Sequence, residues 1–223
     1  MTLNLPMKSL LIFDLDGTLL DTVADLAAST NFALSQCGFP THDTCAYKFF
    51  VGNGINKLFE RALPEGEKTQ DNILQIRHYF LEYYGTHNAD LTAPYPGMVD
   101  LLHRLQDAGI KLAVASNKYQ KGTEKLIKHF FSDIHFVAVF GQRENVPAKP
   151  DPTIVSDILD IANVEKQNVL YVGDSGVDMQ TAQNCGVDAL AVTWGFRPRA
   201  EMQAFSPKYI VDQPSEILSI VLQ

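Results

Sequence analysis

The feature that most constrains the fold is a series of short apolar runs, separated by stretches with helical spacing. The runs lie at 10–13, 112–115, 136–140, 169–172, 189–192 and 209–211. Continuous apolar runs of this length are typical of strands that are buried on both faces, as in a parallel sheet. The patterns at 98–107, 121–130, 153–161 and 176–184 predict helices, and Gly109 and Gly186 stop two of them. The sequence therefore predicts an α/β fold with a doubly wound parallel sheet.

One segment interrupts this alternation of strands and helices. Between about residues 20 and 88 we find only helical patterns, at 21–36, 55–63 and 68–84, the last stopping at Gly85. Three successive helices exceed a single crossover between parallel strands, so we interpret residues 20–91 as an inserted helical cap domain. Residues 1–19 and 92–223 then form the core, with linkers at 19–22 and 89–96. The alternative is that these helices pack directly on the sheet.

Charge and composition exclude several classes of partner. The net charge of −8 argues against nucleic acid, because phosphate backbones are bound by clustered Lys and Arg. No apolar run has transmembrane length, so we expect no membrane partner, and the N-terminal residues lack a signal-peptide pattern. The three cysteines are widely spaced and have no metal-site neighbours, which indicates reduced thiols. We therefore expect a cytoplasmic protein that is a monomer or a weak dimer.

Polar residues stand where the predicted strands end. The first run continues into DLDGT at 14–18, the second into SNK at 116–118, and the fourth into GDS at 173–175, followed by Asp178. Lys149 lies between Pro147 and Pro150, in the stretch after the third run. Ligands of open α/β sheets bind outside the carboxyl ends of the strands. The sequence therefore predicts that these groups converge on one crevice.

The acidic residues of this crevice predict a metal site. Asp14 and Asp16 are two positions apart, so their side chains lean to the same side of an extended chain, and Asp174 joins them from another strand. Carboxylates that share one cleft repel each other unless a cation lies among them. Ligand oxygens without His or Cys favour a hard ion, Mg²⁺, which keeps open positions that a phosphate can fill.

Other residues at the strand ends are suited to binding a phosphate group. Thr18 and Ser116 offer hydroxyl donors, and Asn117 with the neighbouring backbone N–H groups can hold phosphate oxygens. Lys149 offers a compact cation that can bind phosphate and orient Asp14. Each feature alone is common in turns and helix caps, and their meaning comes from their joint order along the chain.

Together these motifs resemble those of the haloacid dehalogenase superfamily of phosphohydrolases. Its first motif is met by DLDGT at 14–18, its second by Ser116, its third by Lys149, and its fourth, Gly-Asp-Ser-x-x-Asp, by residues 173–178. The resemblance extends from Leu10 to about Val211 and includes the helical cap after the first motif. VGNG at 51–54, SNK at 116–118 and KPDP at 149–152 look most like the phosphoglycolate phosphatase branch.

The resemblance implies roles for individual residues. Asp14 attacks phosphorus and forms an aspartyl-phosphate, while Asp16 protonates the leaving alkoxide and then activates water. Mg²⁺ is held by Asp14, the backbone carbonyl of Asp16, and Asp174, with Asp178 just behind them. The phosphoryl oxygens are bound by Ser116, Asn117 and Lys149. The implied activity is hydrolysis of a small phosphate monoester such as 2-phosphoglycolate.

The cap is expected to close over the substrate and to recognise its leaving group. Asn53 and Gly54 are candidates for substrate specificity, and the alternative is a plain glycine-rich turn. Lys57 and Arg61 are candidates for binding a substrate carboxylate, and the alternative for both is a solvated helix face.

Other activities remain open at this point. A sugar phosphomutase of the beta-phosphoglucomutase type has the same motifs but returns the phosphoryl group to a sugar. A signalling receiver domain also phosphorylates an Asp beside Mg²⁺, but Asp16 and the inserted helices argue against it. A family dehalogenase is disfavoured by the second Asp, and a non-catalytic binding protein on the same fold is a further alternative.

Overall fold

The structure is a computed structural model, and it describes residues 8–222. Residues 1–7 and 223, which the sequence assigns to the core, lie outside this range. The strands of the described chain are β1 (Leu10–Phe13), β2 (Leu20–Asp21), β3 (Ala93–Pro94), β4 (Lys111–Tyr119), β5 (Phe136–Gln142), β6 (Val169–Gly173), β7 (Asp188–Val192) and β8 (Tyr209–Val211).

The helices agree with the predicted alternation after residue 96. They are α1 (Val23–Gln36), α2 (Thr44–Phe50), α3 (Ile55–Ala62), α4 (Gln70–His87), α5 (Met98–Asp107), α6 (Gln120–Phe130), α7 (Thr153–Ala162), α8 (Gly176–Cys185), α9 (Arg199–Gln203) and α10 (Pro214–Val221). A short 3₁₀ turn precedes β6 at Lys166–Asn168. Across residues 8–222, every helix is too short or too polar to span a membrane.

Six parallel strands form the main sheet, in the order β5-β4-β1-β6-β7-β8. The chain leaves β1 for β4 and β5 on one side and later fills the other side with β6, β7 and β8. The order of connection therefore reverses between β1 and β6, which is where α/β sheets open a crevice for ligands. The predicted doubly wound parallel sheet is confirmed.

Strand β1 explains why the sheet is covered on both sides. Leu10 and Ile12 belong to one buried cluster, with residues of α7, α8 and α9. Leu11 and Phe13 belong to another, with residues of α5, α6 and α10. Successive side chains of a strand point to opposite faces, so a run of four apolar residues is buried only between two layers of helices.

The helices α1 to α4 form a separate bundle with its own core. Large aromatic side chains, among them Tyr47, Phe59 and Phe80, are fully buried there. The bundle is joined to the sheet where β2 pairs with β3 in a two-stranded antiparallel ribbon, at the two predicted linkers. Helix α1 is tied to the second linker by Asp25, whose carboxylate accepts hydrogen bonds from the backbone of Leu91 and Thr92.

Several local features differ from the sequence prediction. Helix α2 was not predicted, because seven residues with one fully buried side chain, Tyr47, give no clear helical period. Helix α4 continues through Gly85 to His87, since one glycine in a helix costs only about 1 kcal/mol. Strand β4 runs on to Tyr119, so the polar residues 116–118 lie inside its final part. The ribbon and helices α9 and α10 were also not predicted.

The cap bundle is docked on the core. Phe196, in the loop after β7, packs in the aromatic core of the cap. The next residue, Arg197, donates hydrogen bonds to carbonyls at the end of α2, including that of Val51 at 2.9 Å. On the other side, Lys125 of α6 donates to the carbonyl of Gly85 in α4 at 2.6 Å. Core side chains therefore hold the bundle at two separated points.

Candidate active site

Asp14 is positioned by the end of β1. Its backbone N–H donates to the carbonyl of Val172 at 2.9 Å, which continues the pairing of β1 with β6 by one residue. The chain then turns tightly through Gly17, whose φ of +89° lies in the left-handed region. A Cβ at Gly17 would collide with the carboxylate of Asp174. The glycine thus permits both the turn and the close approach of the two acidic segments.

Lys149 is at the centre of the buried polar groups. Its ammonium donates to Asp14 Oδ1 at 2.9 Å, Asp178 Oδ1 at 2.8 Å, the Ala115 carbonyl at 2.9 Å and the Tyr171 hydroxyl at 3.0 Å. Burial alone would lower the pKa of Lys149, but the two carboxylates raise it well above its ordinary value. Lys149 is therefore a fixed cation that orients one oxygen of Asp14.

Asp174 is held by backbone and side-chain donors after β6. Its Oδ2 accepts from the N–H of Phe196 at 2.7 Å, and its Oδ1 accepts from the hydroxyl of Thr18 at 3.2 Å. Gly195 packs so closely that a Cβ there would overlap Asp174 and the carbonyl of Gly17. Sequence reasoning missed Gly195 because only the folded chain brings the loop after β7 against Asp174.

Asp178 is fixed at the start of α8. It forms a capping box with Ser175, whose hydroxyl donates to Asp178 Oδ2 at 2.6 Å. Its other oxygen faces Lys149 and the hydroxyl of Tyr171. Oxygens of Asp14, Asp174 and Asp178 all lie within 4.8 Å of one another.

The pKa values of this cluster indicate that it is short of positive charge. Burial raises the pKa of Asp14 to about 7 against the opposing effect of Lys149, and Asp178 raises it further. Burial also raises the pKa of Asp174 well above its ordinary value, with contributions from Asp178 and Asp14. A divalent cation among these oxygens would favour their ionised forms, so the donor set fits Mg²⁺. The carboxylate of Asp16 is not part of this cluster.

Asp16 faces a different set of partners. Its Oδ1 accepts from the hydroxyl of Thr22 at 2.7 Å and from the ammonium of Lys118 at 3.0 Å. Lys118 also lies over the ring of Tyr84, 4.9 Å from its centre. Burial opposes its charge, but Asp16 and Tyr84 raise the pKa of Lys118.

Lys118 is a functional candidate that sequence reasoning did not single out, although it stands inside the SNK motif at 116–118. The sequence did contain a signal for Lys118. Ser116 and Lys118 are two positions apart in a strand, so their side chains lie on the same side of the sheet. Among residues 8–222, the ammonium groups that contact the carboxylates of Asp14, Asp16 and Asp178 are those of Lys118 and Lys149, and Asp174 lies in the same acidic cluster. Fully ionised, the site has two more negative than positive charges.

Two of the predicted phosphate ligands bind protein atoms instead. The hydroxyl of Thr18 donates to Asp174, as described above. The Asn117 amide donates to the carbonyls of Gly52 and Lys149 at 3.0 and 3.1 Å, and its oxygen accepts from the N–H of Lys149. Asn117 therefore joins the cap loop to the loop of Lys149. The oxygen of Ser116 accepts from the N–H of Lys118, which leaves its own hydrogen free to donate.

A crevice of about 40 Å³ separates these polar residues from the cap. Its floor includes Asp14, Asp16, Ser116 and Lys118, and Gly52 and Gly54 contribute backbone to the opposite wall. The remaining cap side chains of that wall are apolar: Leu26, Val51, Ile55 and Leu58. This volume is well below the usual range for ligand sites.

The other cap candidates lie outside this crevice. The Asn53 oxygen accepts from Arg61 at 2.7 Å, and Arg61 also donates to the carbonyl of Phe50. Arg61 thus stabilises the loop at 51–54 and is not directed at a substrate. Lys57 is 55% exposed and pairs with Glu60, so it lies on a solvated helix face.

Comparisons with known proteins agree with this geometry. The profile of the haloacid dehalogenase-like hydrolase family matches residues 11–192. The chain is 32% identical to the phosphoglycolate phosphatase of Mesorhizobium japonicum, over 92% of this chain and 90% of that protein. It is 33% identical to the phosphoglycolate phosphatase of Pseudomonas putida, over 95% of this chain and 79% of that protein.

A solved structure extends the likeness to the whole architecture. The crystal structure of a predicted phosphoglycolate phosphatase from Haemophilus somnus superimposes with a TM-score of 0.88 at 29% identity. The match covers 95% of this chain and 97% of that one. The likeness therefore covers both the helical bundle and the sheet.

Proposed function

Because the chain belongs to the haloacid dehalogenase-like hydrolase family, we propose that it is a Mg²⁺-dependent phosphate monoester hydrolase. The observation that carries the proposal is the carboxylate of Asp14, held by Lys149 within the acidic cluster and facing the small crevice. We also propose that residues 20–91 act as a cap over a core made of residues 1–19 and 92–223. Contacts of Phe196 and Arg197 with the cap support this division.

Asp14 is proposed as the nucleophile. Its Oδ1 is held by Lys149, while Oδ2 accepts no hydrogen bond from any residue in the range 8–222. In the first step Oδ2 forms a bond to phosphorus as the bond from phosphorus to the ester oxygen breaks, giving an aspartyl-phosphate and an alcohol. The fixed position of Lys149 keeps Asp14 from turning away, and such positioning is most of what phosphoryl transfer requires of a protein.

Asp16 is proposed as the proton carrier. It lines the crevice beside Asp14, and Thr22 and Lys118 hold its carboxyl group. In the first step it gives a proton to the departing ester oxygen. In the second it takes a proton from the water that attacks the aspartyl-phosphate, and phosphate leaves while Asp14 is restored.

The residues that would hold Mg²⁺ are Asp14 and Asp174, with the Asp16 carbonyl, as the sequence resemblance implies. Asp178 is close enough to contribute an oxygen or to act through Lys149. When bound, the ion neutralises charge that builds up on the transferring phosphoryl group. The Ser116 hydroxyl and the backbone N–H of Asn117 are proposed to hold phosphoryl oxygens, with Lys149 behind them. Thr18 and Asn117 are proposed to act by positioning Asp174 and the Lys149 loop.

The substrate is proposed to be a small phosphorylated metabolite such as 2-phosphoglycolate. The limited volume and apolar cap wall leave few partners for the hydroxyl groups of a sugar, which disfavours the phosphomutase alternative. The names of the Mesorhizobium and Pseudomonas relatives support the same choice. A cytoplasmic location is proposed as well, and the three free cysteines suit a reducing compartment.

The test is a panel of phosphate monoesters assayed for phosphate release with and without Mg²⁺. The panel contains the esters 2-phosphoglycolate, hexose phosphates and nucleotides, with the anhydride pyrophosphate for comparison. We expect Mg²⁺-dependent release that disappears in Asp14→Asn and is retained in Asp133→Asn, a matched change at a residue whose side chain is 65% exposed. Substantial residual hydrolysis in Asp14→Asn would remove Asp14 as the nucleophile.

Asp16→Asn tests the second step. The amide can neither donate nor accept the required proton, so we expect slower turnover and an enzyme that carries a phosphoryl adduct in intact-mass spectra. Activity equal to that of the parent protein would exclude the acid–base role.

A further inference from the structure

Lys118 has more hydrogen-bond donors than the protein satisfies. Its ammonium carries three N–H bonds, and its side chain is only 2% exposed. Within residues 8–222, its hydrogen-bond acceptors all belong to one carboxylate, that of Asp16, at 3.0 and 3.3 Å. Because one carboxylate occupies at most two of the three donors, at least one N–H is left over.

The other buried lysine of the site differs in this respect. Lys149 is surrounded by four oxygen atoms and has no donor to spare. A buried donor without an acceptor is unfavourable, so the incomplete set at Lys118 indicates an acceptor supplied from outside the chain. The hydroxyl of Tyr84, whose ring lies against this ammonium, is also buried and has no partner in the described chain.

The spare donor lies where a leaving group must be. Lys118 lines the crevice together with Asp14 and Asp16, and among residues 8–222 it is the only cationic side chain that does so. The rest of the wall on the cap side is apolar side chain and glycine backbone. An anionic group in this crevice has one ammonium to pair with, and a neutral polar group gains much less there.

We propose that Lys118 is the specificity-determining residue of the site, and that it selects phosphate esters whose leaving group carries its own negative charge. The charge would be a carboxylate or a second phosphate next to the scissile oxygen. This inference rests on the proposed hydrolase function and adds the chemical class of the substrate. One ammonium then contacts both Asp16 and the anion of the substrate, so the departing oxygen lies beside the group that protonates it.

The experiment compares anionic and neutral leaving groups with the full chain. We would measure kcat/KM with Mg²⁺ for 2-phosphoglycolate and pyrophosphate, which have anionic leaving groups, and for ethyl phosphate, which has a neutral one. The readout is the ratio of each anionic substrate to ethyl phosphate. In the parent protein, a larger ratio for 2-phosphoglycolate indicates recognition of a carboxylate, and a larger ratio for pyrophosphate indicates recognition of a phosphate.

The matched variants are Lys118→Met, which removes the ammonium, and Thr22→Val, which removes the other donor to Asp16. We expect Lys118→Met to lower the ratio about 10- to 100-fold, the usual effect of losing a hydrogen bond to a charged group. Thr22→Val is expected to slow all substrates together and to leave the ratio unchanged. Lys118→Gln also removes the charge with little change in length. It is the variant to measure if Lys118→Met does not fold.

Two results would overturn the inference and leave the hydrolase proposal intact. The first is an equal loss on all three substrates in Lys118→Met, which would mean that Lys118 acts only through Asp16. The second is a parent protein that hydrolyses ethyl phosphate as efficiently as the anionic substrates. Absence of phosphate release from any ester is a distinct result, and it would remove both proposals.

Discussion

Removing the side chain of Arg197 is predicted to loosen the cap without damaging the chemical groups. Arg197 belongs to the core, yet it donates to the carbonyls of Lys48, Phe49 and Val51 at the end of α2. Its guanidinium also lies over the ring of Phe49, 5.4 Å from the centre. A cation at the end of a helix is favourable because the last carbonyls lack partners within the helix.

The size of the effect follows from the exposure of each contact. The bond to Val51 is partly buried and contributes about 1.5 kcal/mol, while the two exposed bonds together add about 0.5 kcal/mol. Loss of about 2 kcal/mol corresponds to about a 30-fold change in the ratio of docked to undocked cap. We therefore expect Arg197→Ala to lower kcat/KM by up to about 30-fold.

Hydrogen exchange of the α2 amides measures docking directly, and it should accelerate in Arg197→Ala. Arg199→Ala is the matched control, because Arg199 lies two residues further along and pairs with Asp212 on the surface. If α2 exchanges at the same rate in both variants and kcat/KM is unchanged, Arg197 does not hold the cap and the reasoning fails.

Three further predictions concern backbone space and the linker. Gly195→Ala should displace Asp174, because the new Cβ would overlap its side chain. The Mg²⁺ concentration needed for half-maximal activity should then rise. An unchanged Mg²⁺ titration would show that the loop moves to accommodate the Cβ. Gly85→Ala should raise stability by about 0.5–1 kcal/mol and the melting temperature by about 1–4 °C, since Gly85 is helical and its Cβ would meet open space; a lower melting temperature would contradict this. Asp25→Ala should cost about 3 kcal/mol in urea unfolding, because buried donors of the second linker, including the Thr92 hydroxyl, lose their acceptor; a loss under about 0.5 kcal/mol would mean that the linker finds other partners.

Much of the fold was predictable from local patterns. The runs around Leu10 and Val169 are apolar at every position, and only a sheet covered on both sides buries all of them. The helix predicted at 98–107 agrees with α5, because its apolar period and Gly109 define both ends. Short elements were missed for the opposite reason. The seven residues of α2 and the two-residue strands of the ribbon are shorter than the periods by which such elements are recognised.

The sequence alone determined which chemical groups gather at the sheet edge. Asp14, Ser116 and Asp174 each stand at or near a strand end, and parallel strands bring those ends together. Whether a residue stands at the end of a strand depends on its neighbours in sequence, so the sequence alone can predict it.

Only the tertiary structure decided which partner each group takes. Thr18 donates to Asp174, and Lys118 pairs with Asp16, across 156 and 102 positions of sequence. Hydrophobic period and turn chemistry describe a residue's own segment and carry no information about such distant pairs. The spare donor of Lys118, on which the proposed choice of leaving group depends, exists only because the fold brings a single carboxylate to that ammonium.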